Sequence, residues 1–317
     1  MDQRVNPAVR LVDDRSFMRR QLFRLFALNA VDAIKFYYFM GEKSQLPVVG
    51  HAFKALMTAY YKHVHTAAVK LPLQDIEEVI NATEHISVGP CACRAVFDKG
   101  CDAPLYCCIK INTFSKMITS MEKLAAKLRA KRGLKVGNPY SKELTKAEAI
   151  AIVRNARKHG LVLSLESCIE PYQYNICSCC ADCCIELNMR YKFGLDVSPR
   201  GPYEPVVNAA DCKQCGACAK RCPVKAISLT DDKRPVIDLN QCLGCGLCAE
   251  QCKSGGLTMV LDESRIPSYE EPGALKLSYV FFLAFTTFLV FSGYKLTHRS
   301  ENVKYHLARP RPTDVIQ

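Results

Sequence analysis

Eight cysteines stand in two runs of one spacing. Cys212, Cys215, Cys218 and Cys222 follow C-x2-C-x2-C-x3-C, and thirty residues later Cys242, Cys245, Cys248 and Cys252 repeat it. Runs of this kind hold [4Fe–4S] cubanes. Three thiolates from one tight loop reach three corners of a cube, and the fourth corner takes a cysteine from further away. Two matching runs favour iron–sulfur chemistry over zinc or disulfides.

Eleven more cysteines lie upstream in two groups. The first is Cys91, Cys93, Cys101, Cys107 and Cys108; the second is Cys168, Cys177, Cys179, Cys180, Cys183 and Cys184. All but Cys168 are taken as candidate ligands of further metal. Vicinal pairs such as Cys179-Cys180 and Cys183-Cys184 are too many for one cubane. Because the chain already carries one set of redox clusters, additional Fe–S clusters are favoured over four-thiolate zinc. A Cys180-x-x-Cys183 dithiol is a third reading, and some of the cysteines can be plain buried residues. No C-x-x-C-H occurs, which argues against covalently bound c-type haem.

From about Pro205 to Leu261 the chain resembles a bacterial-type two-cluster ferredoxin. Asp211-Cys212-Lys213-Gln214-Cys215-Gly216-Ala217-Cys218 aligns with Gln241-Cys242-Leu243-Gly244-Cys245-Gly246-Leu247-Cys248, and Cys222-Pro223-Val224-Lys225-Ala226-Ile227 is typical of that family. Lys253 stands where the family usually has Pro. The resemblance implies a β-hairpin with two short helices and an electron-transfer role. It also implies an exchange of fourth ligands. Cluster 1 would take Cys212, Cys215, Cys218 and Cys252; cluster 2 would take Cys242, Cys245, Cys248 and Cys222. A weaker resemblance links Pro90-Cys91-Ala92-Cys93-Arg94, Gly160-Leu161-Val162 and Ile176-Cys177-Ser178-Cys179 to the Cys-rich region of uncharacterised prokaryotic ferredoxin-fusion proteins. It implies that both upstream cysteine groups belong to one domain.

The elements around these residues are legible in outline. Residues 16–40 read as an amphipathic helix suited to a membrane surface or a partner, and 51–70 and 73–82 as further helices. Ser115–Arg132 reads as a basic helix. Thr145 and Glu148 form a capping box opening a helix that ends at Gly160. Leu161–Leu165 reads as a short strand. Leu277–Tyr294 is 18 uncharged residues, about 27 Å as a helix, and reads as a transmembrane span. The expected fold class is α+β: a helical Cys-rich N-terminal domain, a ferredoxin-like module and a C-terminal transmembrane helix. The expected divisions are a helical region 1–84, a Cys-rich metal-binding domain 85–200, the ferredoxin module 201–265, the span 277–294 and a basic tail 295–317.

The chain has 317 residues, 19 cysteines and a formal net charge of +12, room for two or three domains. Met1–Ser16 lacks the apolar core of a secretory signal. Reduced, metal-bound thiols fit better than disulfides, so the Fe–S domains are expected in the cytoplasm, tied to the membrane by the single span. Oxygen-sensitive cubanes suggest an anaerobe. Residues 116–158 carry twelve Lys/Arg against three Glu. That stretch suits an acidic redox partner, anionic lipid or plain solvation. Nucleic-acid motifs, phosphate loops and dinucleotide fingerprints are missing. These features point to a membrane-anchored electron-transfer protein, a subunit of a larger anaerobic redox complex. The alternative is an Fe–S oxidoreductase with a catalytic Cys-rich site for a thiol, disulfide or quinone.

Overall fold

The computed structural model describes residues 2–12, 32–63, 69–97, 101–131, 141–167, 173–195, 197–266, 289, 291–294 and 313–315. The chain opens with a hairpin of β1 (Asp2–Asn6) and β2 (Val9–Val12), followed by helical residues 32–43 (α1) and α2 (Gly50–His63). There follow β3 (Val69–Lys70), α3 (Leu73–Ala82), β4 (Ile86–Pro90), α4 (Ala92–Phe97), β5 (Tyr106–Ile111), α5 (Asn112–Lys131), β6 (Lys142–Glu143), α6 (Lys146–Lys158), β7 (Val162–Ser167), β8 (Gln173–Cys179) and α7 (Ile185–Tyr191). The last described part holds β9 (Tyr203–Val207), α8 (Ala217–Arg221), β10 (Ile227–Leu229), β11 (Pro235–Ile237), α9 (Leu247–Gln251) and β12 (Leu257–Leu261).

Six strands form one antiparallel sheet in the order β3-β7-β8-β5-β4-β6. Its two faces follow from period-two alternation. Leu163 and Leu165 of β7, Ile176 of β8 and Ile109 and Ile111 of β5 point to one side, where α3 and α6 add Ile76, Val79, Ile80, Ile152 and Val153 to a continuous apolar core. Val162, Ser164 and Glu166 point to the other side. Directly opposite them on β8 stand Cys179, Cys177 and Asn175. Leu187 of α7 packs on this second face, and Ser115 of α5 reaches Ser87 of β4 at 2.8 Å.

The capping box forms as the sequence indicates. The Glu148 amide donates to Thr145 Oγ1 at 3.2 Å and the Thr145 amide donates to Glu148 Oε2 at 2.8 Å. It starts α6, whose buried Ala149, Ile152, Val153, Ala156 and Arg157 recur at helical spacing.

Three expectations need correction. The Cys-rich domain is not helical but mixed, built on the six-stranded sheet. Residues 161–167 and 173–179 alternate with period two, and pairing buries their apolar side. The stretch read as a helix to residue 70 ends at His63, and Val69–Lys70 is an edge strand against β7; residues 64–68 lie outside the described set. The transmembrane helix over 277–294, and with it the membrane localisation and the membrane partner, is not supported. Among the described residues no helix is long and apolar enough to cross a membrane. The described end of that segment meets the chain's own aromatic core: Phe291 and Tyr294 stand 5.4 and 5.6 Å from Phe36, and Tyr294 5.1 Å from Phe39. Most of 277–294, the tail 295–317 apart from 313–315, and residues 13–31 lie outside the described residues.

Candidate metal centres

The sheet and the turn into α7 together gather both upstream cysteine groups. β8 supplies Cys177 and Cys179 and β5 supplies Cys108 to the second face, beside Cys184, the N-cap of α7. Cys107 of β5 lies on the face of Ile109 and, with Cys180 and Cys183 of the turn, joins the apolar core cluster. The Cys91 amide donates to the Leu105 carbonyl at 2.7 Å, which brings Cys91 and Cys93 alongside. Cys101 Sγ lies 3.8 Å from Cys180 Sγ, and the sulfurs of Cys101, Cys180 and Cys183 are within 4.8 Å of one another. A tetrahedral zinc with Zn–S near 2.3 Å spaces its sulfurs about 3.8 Å apart, so this triad has the spacing of ligands to one ion. A second triad, Glu166, Cys177 and Cys179, meets the same 4.8 Å limit. Cys91 lies against Cys107 and Cys93, and Cys179 against Cys177 and Cys184. Ten upstream cysteines therefore converge; Cys168 lies outside the described residues.

Charge shapes this region. Arg94 is 0% exposed. It donates to Cys107 Sγ at 3.0 Å, to the Ser178 carbonyl at 3.2 Å and to the Pro104 carbonyl. Burial works against its charge, yet the thiols of Cys107, Cys91 and Cys180 outweigh burial and hold Arg94 above its ordinary range. A hydrogen bond with Cys183 pulls Cys180 down to about 6 against its burial, and Arg94 acts the same way. Cys177 likewise pulls Cys108 down to about 7. Burial, then Glu186 and Cys179, pushes the Glu166 carboxyl well up.

The downstream cysteines sit on two loops of matching conformation. Gln214 and Gly216 take left-handed φ values of 49° and 69°, and their counterparts Gly244 and Gly246 take 67° and 79°. At Gly244 a Cβ would stand 2.5 Å from the Tyr203 carbonyl oxygen, so only glycine allows that approach to β9. The Ala226 amide donates to Cys222 Sγ at 3.3 Å and the Gly244 amide to Cys242 Sγ at 3.4 Å. Burial raises Cys242, Cys245 and Cys248, the last to about 12, and the nearby charge of Cys222 adds to each. Cys222 of the first run thus sits among three cysteines of the second. Gly256, just past Cys252, lies so close to the first run that a Cβ there would stand 2.7 Å from the Cys212 nitrogen.

Four thiols per site, bent loops and amides aimed at sulfur fit iron–sulfur clusters, whose potentials such hydrogen bonds tune. Residues 211–256 match the 4Fe-4S dicluster domain family. The chain holds [4Fe–4S] clusters in this dicluster module. Bound there, each cluster takes up or releases one electron. The ferredoxin-type protein NapF of Escherichia coli K12 is 32% identical over 81 residues, which is 26% of this chain and 47% of that protein. The ferredoxin-type protein NapF of Haemophilus influenzae is 35% identical over 76 residues, 24% of this chain and 40% of that protein. The chain spans less than half the length of these curated relatives.

The dicluster module docks on the Cys-rich domain through its second loop. Leu243 and Leu247 pack with Val162, Cys179, Cys184 and Leu187, and Cys177 and Cys245 border the same layer. Arg157 of α6 donates to the Cys245 carbonyl at 2.9 Å and Tyr191 of α7 to the Gln241 carbonyl at 2.5 Å. Arg221 reaches back to the carbonyl of Lys158 at 3.2 Å and to that of Arg157. The first loop faces outward: Cys215 is exposed and α8 buries no residue. Sequence reading missed Glu166, Arg94 and Arg157. Glu166 had one signal, a lone acid on the polar side of an alternating strand.

Proposed function

We propose that the chain is an iron–sulfur electron-transfer protein in which the dicluster module exchanges electrons with metal held by the Cys-rich domain. The observation that carries this reading is the shared packing of Cys177, Cys179 and Cys184 with Cys245, Leu243 and Leu247. Thiols of both cysteine-bearing parts border one apolar layer. Arg157 and Tyr191 fix the second loop against that layer, and Arg221 ties the first run to the end of α6; a fixed contact of this kind suits electron transfer. The crossed ligand sets, Cys212, Cys215, Cys218 and Cys252 with Cys242, Cys245, Cys248 and Cys222, agree with the place of Cys222. The convergence of Cys91, Cys93, Cys101, Cys107, Cys108, Cys177, Cys179, Cys180, Cys183 and Cys184 supports further Fe–S or, as the lesser reading, zinc. The outward first loop, with Lys213 and Lys220 beside it, suits an acidic redox partner or a neighbouring subunit.

Iron, zinc and acid-labile sulfide per chain test the reading. Metal beyond the eight irons of two [4Fe–4S] clusters is expected. Eight irons and no other metal would remove the Cys-rich centre, and an iron-free chain would remove the function altogether.

A further inference from the structure

We propose that Glu166, Cys177 and Cys179 form a mixed carboxylate–thiolate site for one first-row divalent cation, iron or zinc. The inference rests on the reading that the cysteine face holds metal, and it adds an oxygen ligand to that face.

The backbone ladder sets up the triad. On β7 and β8, Val162 stands opposite Cys179, Ser164 opposite Cys177 and Glu166 opposite Asn175. Residues opposite one another or two apart share a sheet face, so all three ligand groups are aimed to one side. Their ligand atoms lie within 4.8 Å of one another. Neighbours then fix their orientation. Ser164 Oγ donates to Glu166 Oε1 at 2.7 Å and lies 3.9 Å from Cys179 Sγ. Asn175 Nδ2 donates to Cys177 Sγ at 2.9 Å. Supports of this kind orient ligands at metal sites.

Charge points the same way. Glu166 is 4% exposed, and a buried carboxylate needs a positive partner. Lys70 is on this face, bonds Glu186 at 3.0 Å and also attracts Glu166, so one cation faces two buried carboxylates. With Cys177 and Cys179 as thiolates the negative groups outnumber it, and a divalent cation offsets the excess. Two thiolates with one carboxylate suit iron or zinc rather than magnesium or calcium, which take all-oxygen sites. Three protein ligands leave one tetrahedral position for water or an outside ligand.

The test uses the full chain, purified without oxygen. Iron and zinc per chain are measured in wild type, Glu166→Gln, Glu166→Cys and Cys101→Ser. Co²⁺ is then titrated into each after chelator treatment, and the thiolate-to-cobalt absorption is followed. Glu166→Gln should weaken Co²⁺ binding roughly a hundred-fold, at the upper end of the loss seen for supporting groups alone, while the module keeps its iron. Glu166→Cys should restore binding with stronger absorption per cobalt, because a third thiolate replaces the carboxylate. Cys101→Ser should leave this site intact. If Glu166→Gln binds Co²⁺ like wild type, or Glu166→Cys restores nothing, the Glu166 assignment falls alone. If wild type holds no metal beyond the two clusters and takes up no Co²⁺, the metal reading of the whole face falls with it.

Discussion

Arg157 of α6 closes on Glu250 of α9: Nε stands 3.0 Å from Oε2 and Nη2 2.5 Å from Oε1. The same Nη2 holds the Cys245 carbonyl, and Arg157 is only 3% exposed. One guanidinium therefore both joins the two domains and sets positive charge beside a cluster cysteine.

Arg157→Ala should lower the midpoint potential of the second-run cluster. A cluster gains negative charge on reduction, and the variant removes the cation that opposes the burial of Cys245. The expected fall is about 30–60 mV, up to one decade for a one-electron couple. A redox titration followed by electron paramagnetic resonance checks it, and an unmoved midpoint counts against the role.

Cys222→Ala should cost about half of the module's iron, and the cluster lost should be the one whose midpoint Arg157→Ala moves. Cys222 sits among Cys242, Cys245 and Cys248, and the exchange of fourth ligands predicts that loss. Loss of the other signal would mean that each run keeps its own fourth cysteine.

Arg94→Met should strip metal from the Cys-rich face and destabilise the fold by roughly 1–3 kcal/mol for each buried group left without its donor. It leaves Cys107 and the carbonyls of Pro104 and Ser178 without their donor. Arg94→Lys should rescue only in part, because an ammonium keeps the charge but loses the planar fork. Metal content and the thermal unfolding midpoint report both variants.

Asp75 carries a pH dependence. Burial raises its carboxyl above 3.8, Glu78 adds to the rise, and Tyr203 of the dicluster module opposes it. A carboxyl raised on folding makes the native state bind more protons. Its contribution to stability therefore falls as pH rises from about 3.8 to the folded value, then levels off. Asp75 Oδ2 is also buried without a hydrogen-bond partner, which suits a protonated form. Asp75→Asn should gain on wild type as pH rises from about 3.8, and denaturant midpoints followed from that pH upward until the difference levels off would reveal it. A constant difference would remove Asp75 as the source.

The dicluster module was legible because its signal is local: eight cysteines at fixed spacing, with left-handed residues between them. Thr145 and Glu148 were legible for the same reason. The Cys-rich domain was not, because its geometry comes from pairing β5 with β8 across some seventy residues, as in Ile109 with Ile176. Helical reading of that domain overlooked the alternation in Gln173–Cys179. Arg94 was visible inside its cysteine run, but nothing local says that a charged side chain will be fully buried there. The apolar stretch ending at Tyr294 misled for a physical reason. Hydropathy measures how poorly a segment mixes with water and is blind to whether lipid or the protein's own Phe36 will cover it.

The two-faced sheet has a further consequence. A slip of one residue between β7 and β8 would turn Ile176 and Ser178 toward the metal side and send Cys177 and Cys179 into the apolar core. A misaligned chain would then offer neither a sound core nor a usable set of ligands. On the proposed reading, metal uptake on this face would act as a checkpoint on strand alignment, because only correctly paired strands would present the ligands.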